Sequence, residues 1–198
     1  MLNAWQAAEF VMGAGVKTLT RLLDLHARDL LPSGASVLDL GVQEIYAKGS
    51  DDHIRAFIQY FSERDSRLKP AEAYSEAEIA RLADHGYAGE LLVASGFKYQ
   101  SIDLFQGYNT ILFDLNIHQL SPELSGQFDL VANLGTTEHI INQYQAMRSI
   151  HEFTRIVGLI YQNSSLSGYY LHGYYSYNPL FFNTGRLLTI TRSYSSSI

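Results

Sequence analysis

A three-layer α/β fold, with helices on both faces of a mostly parallel sheet, is the architecture this sequence predicts. Short apolar runs that close on an acid, an amide or a glycine alternate with segments of helical period. That is the pattern of buried parallel strands joined by crossover helices. The 198 residues, 46% hydrophobic and 17% charged, suit one globular domain with a sizeable core rather than a disordered chain.

Residues 4–31 carry apolar side chains at helical spacing, among them Val16, Leu19, Leu22, Leu23 and Leu25, and Pro32-Ser33-Gly34 ends the run. One or two helices are expected there. Residues 36–40, SVLDL, form a short apolar run closed by Gly41 and read as the first strand. Ile54, Phe57, Ile58 and Phe61 then fall at i, i+3, i+4 and i+7 behind Asp51 and Asp52 as candidate caps, which predicts a crossover helix. In residues 64–98 a charged stretch with Pro70 leads into SEAEIARLADHG and YAGELLVASGF, two helix-like segments with glycine stops, read as an inserted helical pair. Residues 99–103, 110–115 and 128–134 are three further strands by their content of Ile, Leu, Val and aromatics. Residues 139–155 read as a second crossover helix and residues 157–162 as the next buried strand. Residues 163–183 are a loop crowded with tyrosine around His172, residues 187–191 are a last strand, and the SYSSSI end is polar.

Bulk composition excludes several functions. Fourteen Lys and Arg stand against twenty Asp and Glu, a net charge of −6 with no basic run, so no nucleic-acid partner is expected. There is no cysteine, which removes disulfides and thiolate metal sites and fits a reducing compartment. The seven histidines show no close ligand pair in the sequence, so no zinc site is expected. The opening MLNAWQAAEFVMGAG lacks a basic region before its apolar residues and no stretch approaches a membrane span, so a cytoplasmic protein without a membrane partner is expected. Neither a G-x-S-x-G elbow nor a G-x-x-x-x-G-K phosphate loop occurs.

In open α/β sheets ligands bind beyond the carboxyl ends of the strands. Those ends read Asp39-Leu40-Gly41, Ile102-Asp103, Asp114-Leu115-Asn116 and Asn133-Leu134-Gly135. Each Asp or Asn alone is a turn former; four together mark a binding edge.

The ordered set SVLDLG, SID, LFDLN and FDLVANLGTTEH over about residues 35–165 resembles the class I S-adenosylmethionine-dependent methyltransferases. The likeness is to small bacterial-type domains with a phrase like FDLVANLGTTEHIINQ. The resemblance implies a Rossmann-like methyltransferase sheet in a single domain, 1–198. Within it lie amino-terminal helices (1–34), a cofactor-binding core (35–165), the helical insertion after the first βα unit (64–98), and an aromatic substrate loop with the last strand (163–198). It implies that Asp39 orients the methionine end of S-adenosylmethionine and that Gly41 lets the backbone approach it. Asp103 would take the ribose hydroxyls and Asp114 the adenine amino group, with Leu115 flanking the ring. Asn133 and Gly135, in the stretch to Thr137, would lie beneath the sulfonium. The sequence departs from the family at the G-x-G-x-G turn, which here is Gly41-Val42-Gln43-Glu44. Gln43 either bonds the amino-acid end of the cofactor or fills that space itself. Asp39 and Asp103 stand 64 residues apart, against roughly 20 from glycine turn to acid in a minimal dinucleotide unit, and the helical insertion accounts for the excess.

Methyl transfer from a sulfonium is an in-line displacement that depends on alignment, and a base near neutral pKa completes it for an oxygen or nitrogen acceptor. His139, beside Glu138 and at the expected amino end of a helix that would disfavour imidazolium, is the first candidate base. His172, in the aromatic loop, is the second. The alternatives are that His139 anchors the helix start and that the tyrosines pack or form a homo-oligomer contact, rather than stacking on an acceptor. The function expected is methyl transfer to an oxygen or nitrogen of a small polar molecule such as a sugar or secondary metabolite. A non-catalytic cofactor-binding scaffold is the alternative, supported by the single glycine, and a dinucleotide-binding oxidoreductase domain is the third.

Overall fold

The computed structural model describes residues 13–117, 121–166, 172–186 and 192–194. A short strand, β1 (Ala14–Gly15), leads into helix α1 (Val16–Ala27), which buries Leu19, Leu22 and Leu25 on one face. Strand β2 (Ser36–Leu40) follows, then β3 (Glu44–Tyr46) and helix α2 (Asp51–Ser62). The buried residues of α2 are Ile54, Phe57, Ile58 and Phe61, the stripe its spacing predicts. Asp51 and Asp52 lie in its first turn rather than capping it; Ser50 stands at the cap. Helix α3 (Glu76–Ala83) starts on a reciprocal capping box, in which Ser75 takes the Glu78 N–H and Glu78 takes the Ser75 N–H. Strand β4 (Asp84–Tyr87), helix α4 (Ala88–Ala94) and strands β5 (Lys98–Asp103), β6 (Thr110–Leu112) and β7 (Phe128–Leu134) come next. Helix α5 (Gln143–Phe153), strand β8 (Thr154–Asn163), helix α6 (Pro179–Arg186) and strand β9 (Arg192–Tyr194) complete the described chain.

The main sheet has the order β6-β5-β2-β7-β8-β9, and each neighbouring pair in it is parallel. The fold is α/β, and its sheet order is compatible with a Rossmann-like arrangement. Residues of β2 alternate between two apolar clusters, Val37 in one and Leu38 and Leu40 in the other, because side chains of a strand point to opposite faces in turn. The first cluster takes in side chains of α1, α2, α3 and α4, the second those of α5. Helices therefore cover both faces. The chain moves outward from β2 through β5 to β6, then returns to β7 on the other side of β2. The reversal falls between β2 and β7, the position at which open sheets form a ligand crevice.

The structure differs from the sequence expectations in several places, among them the end of the expected tyrosine-rich loop, which is helix α6, and the last described strand, which is at Arg192–Tyr194. The inserted pair, α3 and α4, is part of the larger core through Ile79, Leu82, Leu91 and Leu92. The link between these helices is itself a strand, and β4 joins β3 and β1 in a small second sheet. The helix expected from residue 139 begins at Gln143, because Asn142 caps it by accepting the Gln145 N–H at 3.2 Å. The strand expected at 110–115 ends at Leu112, because Asp114 turns the chain by accepting the Asn116 N–H at 2.8 Å. Residues 4–12, the tyrosine-rich residues 167–171 and the strand expected at 187–191 lie outside the described residues. Among the described residues no helix is long and apolar enough to cross a membrane.

At the start of β8 the pairing with β7 slips, and Val157 adopts φ +60 with its side chain 73% exposed. A left-handed conformation costs an L-residue about 1–2 kcal/mol, and a β-branched one is the least tolerant. Little packing is lost on removing this side chain. Val157→Gly is expected to raise stability by about 1 kcal/mol after the entropy glycine adds to the unfolded chain. Thermal unfolding would register this as a rise of roughly 2–4 °C, and an unchanged or lower midpoint would contradict it.

Candidate functional site

The site is built at the carboxyl ends of β2, β5, β7 and β8. Beyond β2, Gly41 takes φ +81, and a Cβ there would stand 2.7 Å from Thr136 Oγ1. Glycine is required at this point by both conformation and space. The Gly41 N–H donates to the Ile102 carbonyl at 2.8 Å, which keeps the turn on the neighbouring strand β5. Asp103, the last residue of β5, takes the Val42 N–H on Oδ2 at 2.9 Å and the Phe105 N–H on Oδ1 at 3.1 Å. A carboxylate has about four acceptor positions, so each oxygen keeps capacity for another donor. Asp103 thus holds the turn and faces the edge of the sheet.

Thr136 and Gln43 span the reversal point between β2 and β7. The Thr136 hydroxyl donates to the Leu40 carbonyl, and Gln43 Nε2 donates to the same oxygen at 3.0 Å. Gln43 is buried. Of the two roles expected for it, the structure has its side chain folded back into the space beside Gly41.

Asp39 is not where the resemblance implies. It is 2% exposed, on the strand face that carries Val37 rather than at the rim, and the Tyr99 O–H donates to its Oδ2 at 2.9 Å. Its partner across the ladder is Ser101, which makes Tyr99 the diagonal neighbour within reach of a long side chain. Burial pushes the Asp39 carboxyl up to about 7, against the pull of the Tyr99 bond. A cavity of about 20 Å³ beside it is lined mostly by apolar side chains, with Thr18 and Tyr161 the other polar groups. That space is close to the least that admits one water. Neither Asp103 nor Asp114 lines it, so the three acids do not share a cavity. Asp114 Oδ1 takes both the backbone N–H and the side-chain amide of Asn116. Leu115 is packed into the second apolar cluster and offers almost no surface. A larger cavity, about 220 Å³, lies between α2 and the turn before α3, lined by Arg55, Gln59 and Glu72. It includes none of the expected site residues.

Beyond β7, Asn133 is 1% exposed and its amide is fully engaged. Its Oδ1 takes the N–H groups of Thr136 and Thr137 at 3.0 and 3.1 Å. Its Nδ2 donates to Thr137 Oγ1 and Gln162 Oε1, each at 2.7 Å, with Ser164 Oγ at 3.0 Å. Asn133 therefore organises the turn instead of lying open beneath a ligand. Gly135, with φ +88, allows the chain to double back into that turn.

No family model, curated protein or solved structure matches this chain.

The short turn Thr137–His139 separates β7 from α5 and points its last two side chains in opposite senses. Glu138 is fully buried and His139 exposed. Glu138 Oε1 takes the Ser165 N–H at 3.3 Å, and its backbone carbonyl takes the N–H groups of Tyr174 and Tyr175. Gly173 lies against it, where a Cβ would meet the Glu138 carbonyl at 2.9 Å. Glu138 is therefore a clamp on the segment after β8. The result is that His172 meets His139, their rings 4.9 Å apart in an edge-to-face contact. The two candidate bases are brought together from separate loops. His139 is not at a helix end, since α5 starts only at Gln143, and the dipole proposed to act on it belongs to a later turn.

Tyr177, Gln143 and the Asn133 network were not singled out by sequence. The Tyr177 O–H donates to Gln143 Oε1 at 2.6 Å and lies 3.0 Å from Thr137 Oγ1. Burial pushes this phenol up to about 12, so it stays a donor. The signal available was its place in a tyrosine-rich stretch, which did not distinguish it from its neighbours. Among the described residues no group of three or more His, Asp or Glu is gathered to hold a metal ion.

The raised Asp39 carboxyl makes stability depend on pH. The folded state binds this proton more tightly than the unfolded chain, whose value is near 3.8. Its contribution is present below that value and is lost as pH rises to about 7. Between about pH 5 and pH 8 the group should account for a loss of roughly 2–3 kcal/mol. Asp39→Asn keeps an oxygen for Tyr99 and removes the titration. Urea unfolding of both proteins at the two pH values should show the loss in the wild type only, and equal slopes would refute the assignment.

Proposed function

We propose that this chain is a class I S-adenosylmethionine-dependent methyltransferase acting on an oxygen or nitrogen of a small molecule. The observation that carries this reading is the tie between two strand ends: Asp103, closing β5, holds the Val42 N–H of the turn that closes β2. Such a carboxylate keeps capacity for a pair of ribose hydroxyls. Asp114 stands one strand further out, at the adenine end. S-adenosylmethionine, when bound, supplies an electrophilic methyl group. His139 would take the proton released by the acceptor oxygen or nitrogen on transfer of the methyl group. His172, in ring contact with His139, orients it. Alignment of the two reactants does most of the work in such a displacement, so a single base suffices.

One observation favours the scaffold reading. Gln43 fills the space beside Gly41 and bonds Leu40 instead of leaving the turn open. Binding at the amino-acid end then requires that side chain to rotate.

Calorimetric titration with S-adenosylmethionine, S-adenosylhomocysteine and NAD distinguishes the readings. Binding of both adenosyl ligands, with turnover of one on an acceptor panel, is expected. Binding without turnover would favour the scaffold, and binding of NAD alone would remove the family assignment. Asp103→Ala should weaken S-adenosylhomocysteine by about 1.5–3 kcal/mol, the scale of bonds to a charged group. His139→Ala should lower turnover by about 10²–10⁴-fold with cofactor affinity unchanged. Since His139 is exposed, unfolding of that variant would assign it a structural role instead.

A further inference from the structure

The loops at the binding edge lack cations. No Lys or Arg occurs between Lys98 and Arg148, nor between Arg155 and Arg186, and these stretches contain the loops that follow β5, β6, β7 and β8. They do contain Asp103, Asp114 and Glu138. Lys48, after β3, is paired with Asp84 at 2.8 Å. Recognition of a phosphate or carboxylate depends on Arg, Lys or a cluster of them. An anionic acceptor would meet Asp103 and Asp114 here with no Lys or Arg to compensate.

The same edge exposes large apolar groups. Ile117, Ile141, Tyr144 and Tyr174 are 75%, 66%, 77% and 70% exposed. Ile117, Ile141 and Tyr174 come from three loops that are tied together, and Tyr144 from the first turn of α5. Asn142 donates its backbone and side-chain N–H groups to Asn116 at 3.1 and 3.0 Å, which ties the loop of Ile141 to the loop of Ile117. The Tyr175 O–H donates to the Ile141 carbonyl at 3.0 Å, and the Tyr174 N–H to Glu138 at 2.8 Å. These bonds hold the segments that carry Ile141 and Tyr174 against the turn that carries His139. Exposed apolar surface beside a polar centre marks a place where a partner's apolar part is covered.

We propose that the acceptor is an uncharged hydroxylated molecule with an aromatic or apolar body. Its hydroxyl lies at His139 and His172, and its body covers Ile141 and Tyr144 between Ile117 and Tyr174. The fate of the hydroxyl rests on the methyltransferase reading; the preference in binding does not.

The test is a titration of the full chain, with and without S-adenosylhomocysteine, against 4-nitrophenyl β-glucoside and 4-nitrophenyl β-glucuronide. These probes share an aromatic body and a hydroxylated ring and differ by one carboxylate. The glucoside should bind at least about tenfold more tightly. Ile141→Ser and Tyr144→Ser, at exposed positions, should each weaken it by about tenfold with thermal unfolding unchanged. Ile156→Ser, 86% exposed at the start of β8 and hence at the opposite end of the sheet, should leave it unaltered. The proposal is overturned if the glucuronide binds equally or better, if the glucoside does not bind, if both rim variants keep full affinity, or if Ile156→Ser also loses it. If S-adenosylhomocysteine fails to bind while the glucoside pattern holds, the methyltransferase reading fails and the acceptor class stands.

Discussion

Asn133, next to last in β7, has its amide shut off from water, and a buried amide left unbonded would cost on the order of 1–3 kcal/mol per group. The protein meets that requirement by folding two segments around it, the turn after β7 and the end of β8. Its oxygen gathers the N–H groups of Thr136 and Thr137, and its nitrogen reaches Thr137, Gln162 and Ser164. The first set bends the chain after β7 back on itself, and the second fixes the ends of β7 and β8 side by side. From Thr137 the network continues to Tyr177 and Gln143, so the segment after β8 is held over the turn. Glu138, buried in that turn, holds the same segment by its carbonyl and carboxylate. The contact of His139 with His172 is a product of this order.

A second centre lies on the other side of the reversal point. The Leu40 carbonyl takes side-chain donors from both Thr136 and Gln43, and Asp103 takes the Val42 N–H. The end of β2 is therefore linked to β5 on one side and to the β7 turn on the other. Asp39 lies below this level, bonded to Tyr99. The acid of the first motif supports the strand from inside the core, and the rim acids are those of β5 and the β6 turn.

The strands and most of the helices were legible because period-two and period-3.6 burial leave their mark directly on the order of residues. SVLDL and FDLVANL are strands at the expected places, and Ile54, Phe57, Ile58 and Phe61 form the expected stripe. Boundaries set by a side-chain bond, such as those at Asn142 and Asp114, were missed because such a bond leaves no periodic trace. The small sheet was missed because β1, β3 and β4 are too short to show alternation. At the site, the residue types were legible and their directions were not. Asp39 and Asn133 are near the strand ends as read and Leu115 lies past the end of β6, yet their side chains are turned inward or saturated. The approach of His139 to His172 depends on a turn and a return segment far apart in the chain, and no local pattern encodes it.

The backbone just after β2 is fixed from every side. Gly41 is bonded to Ile102 and Val42 to Asp103, and the Gln43 carbonyl takes the Ala88 N–H at 2.9 Å; strand β3 then begins at Glu44 and pairs with both β1 and β4. A segment pinned in this way has no hinge. Access to the space beside Gly41 is then governed by torsion of the Gln43 and Thr136 side chains and not by an excursion of the main chain. Entry there belongs to the time regime of rotamer exchange, which is faster than the collective motions that open a domain.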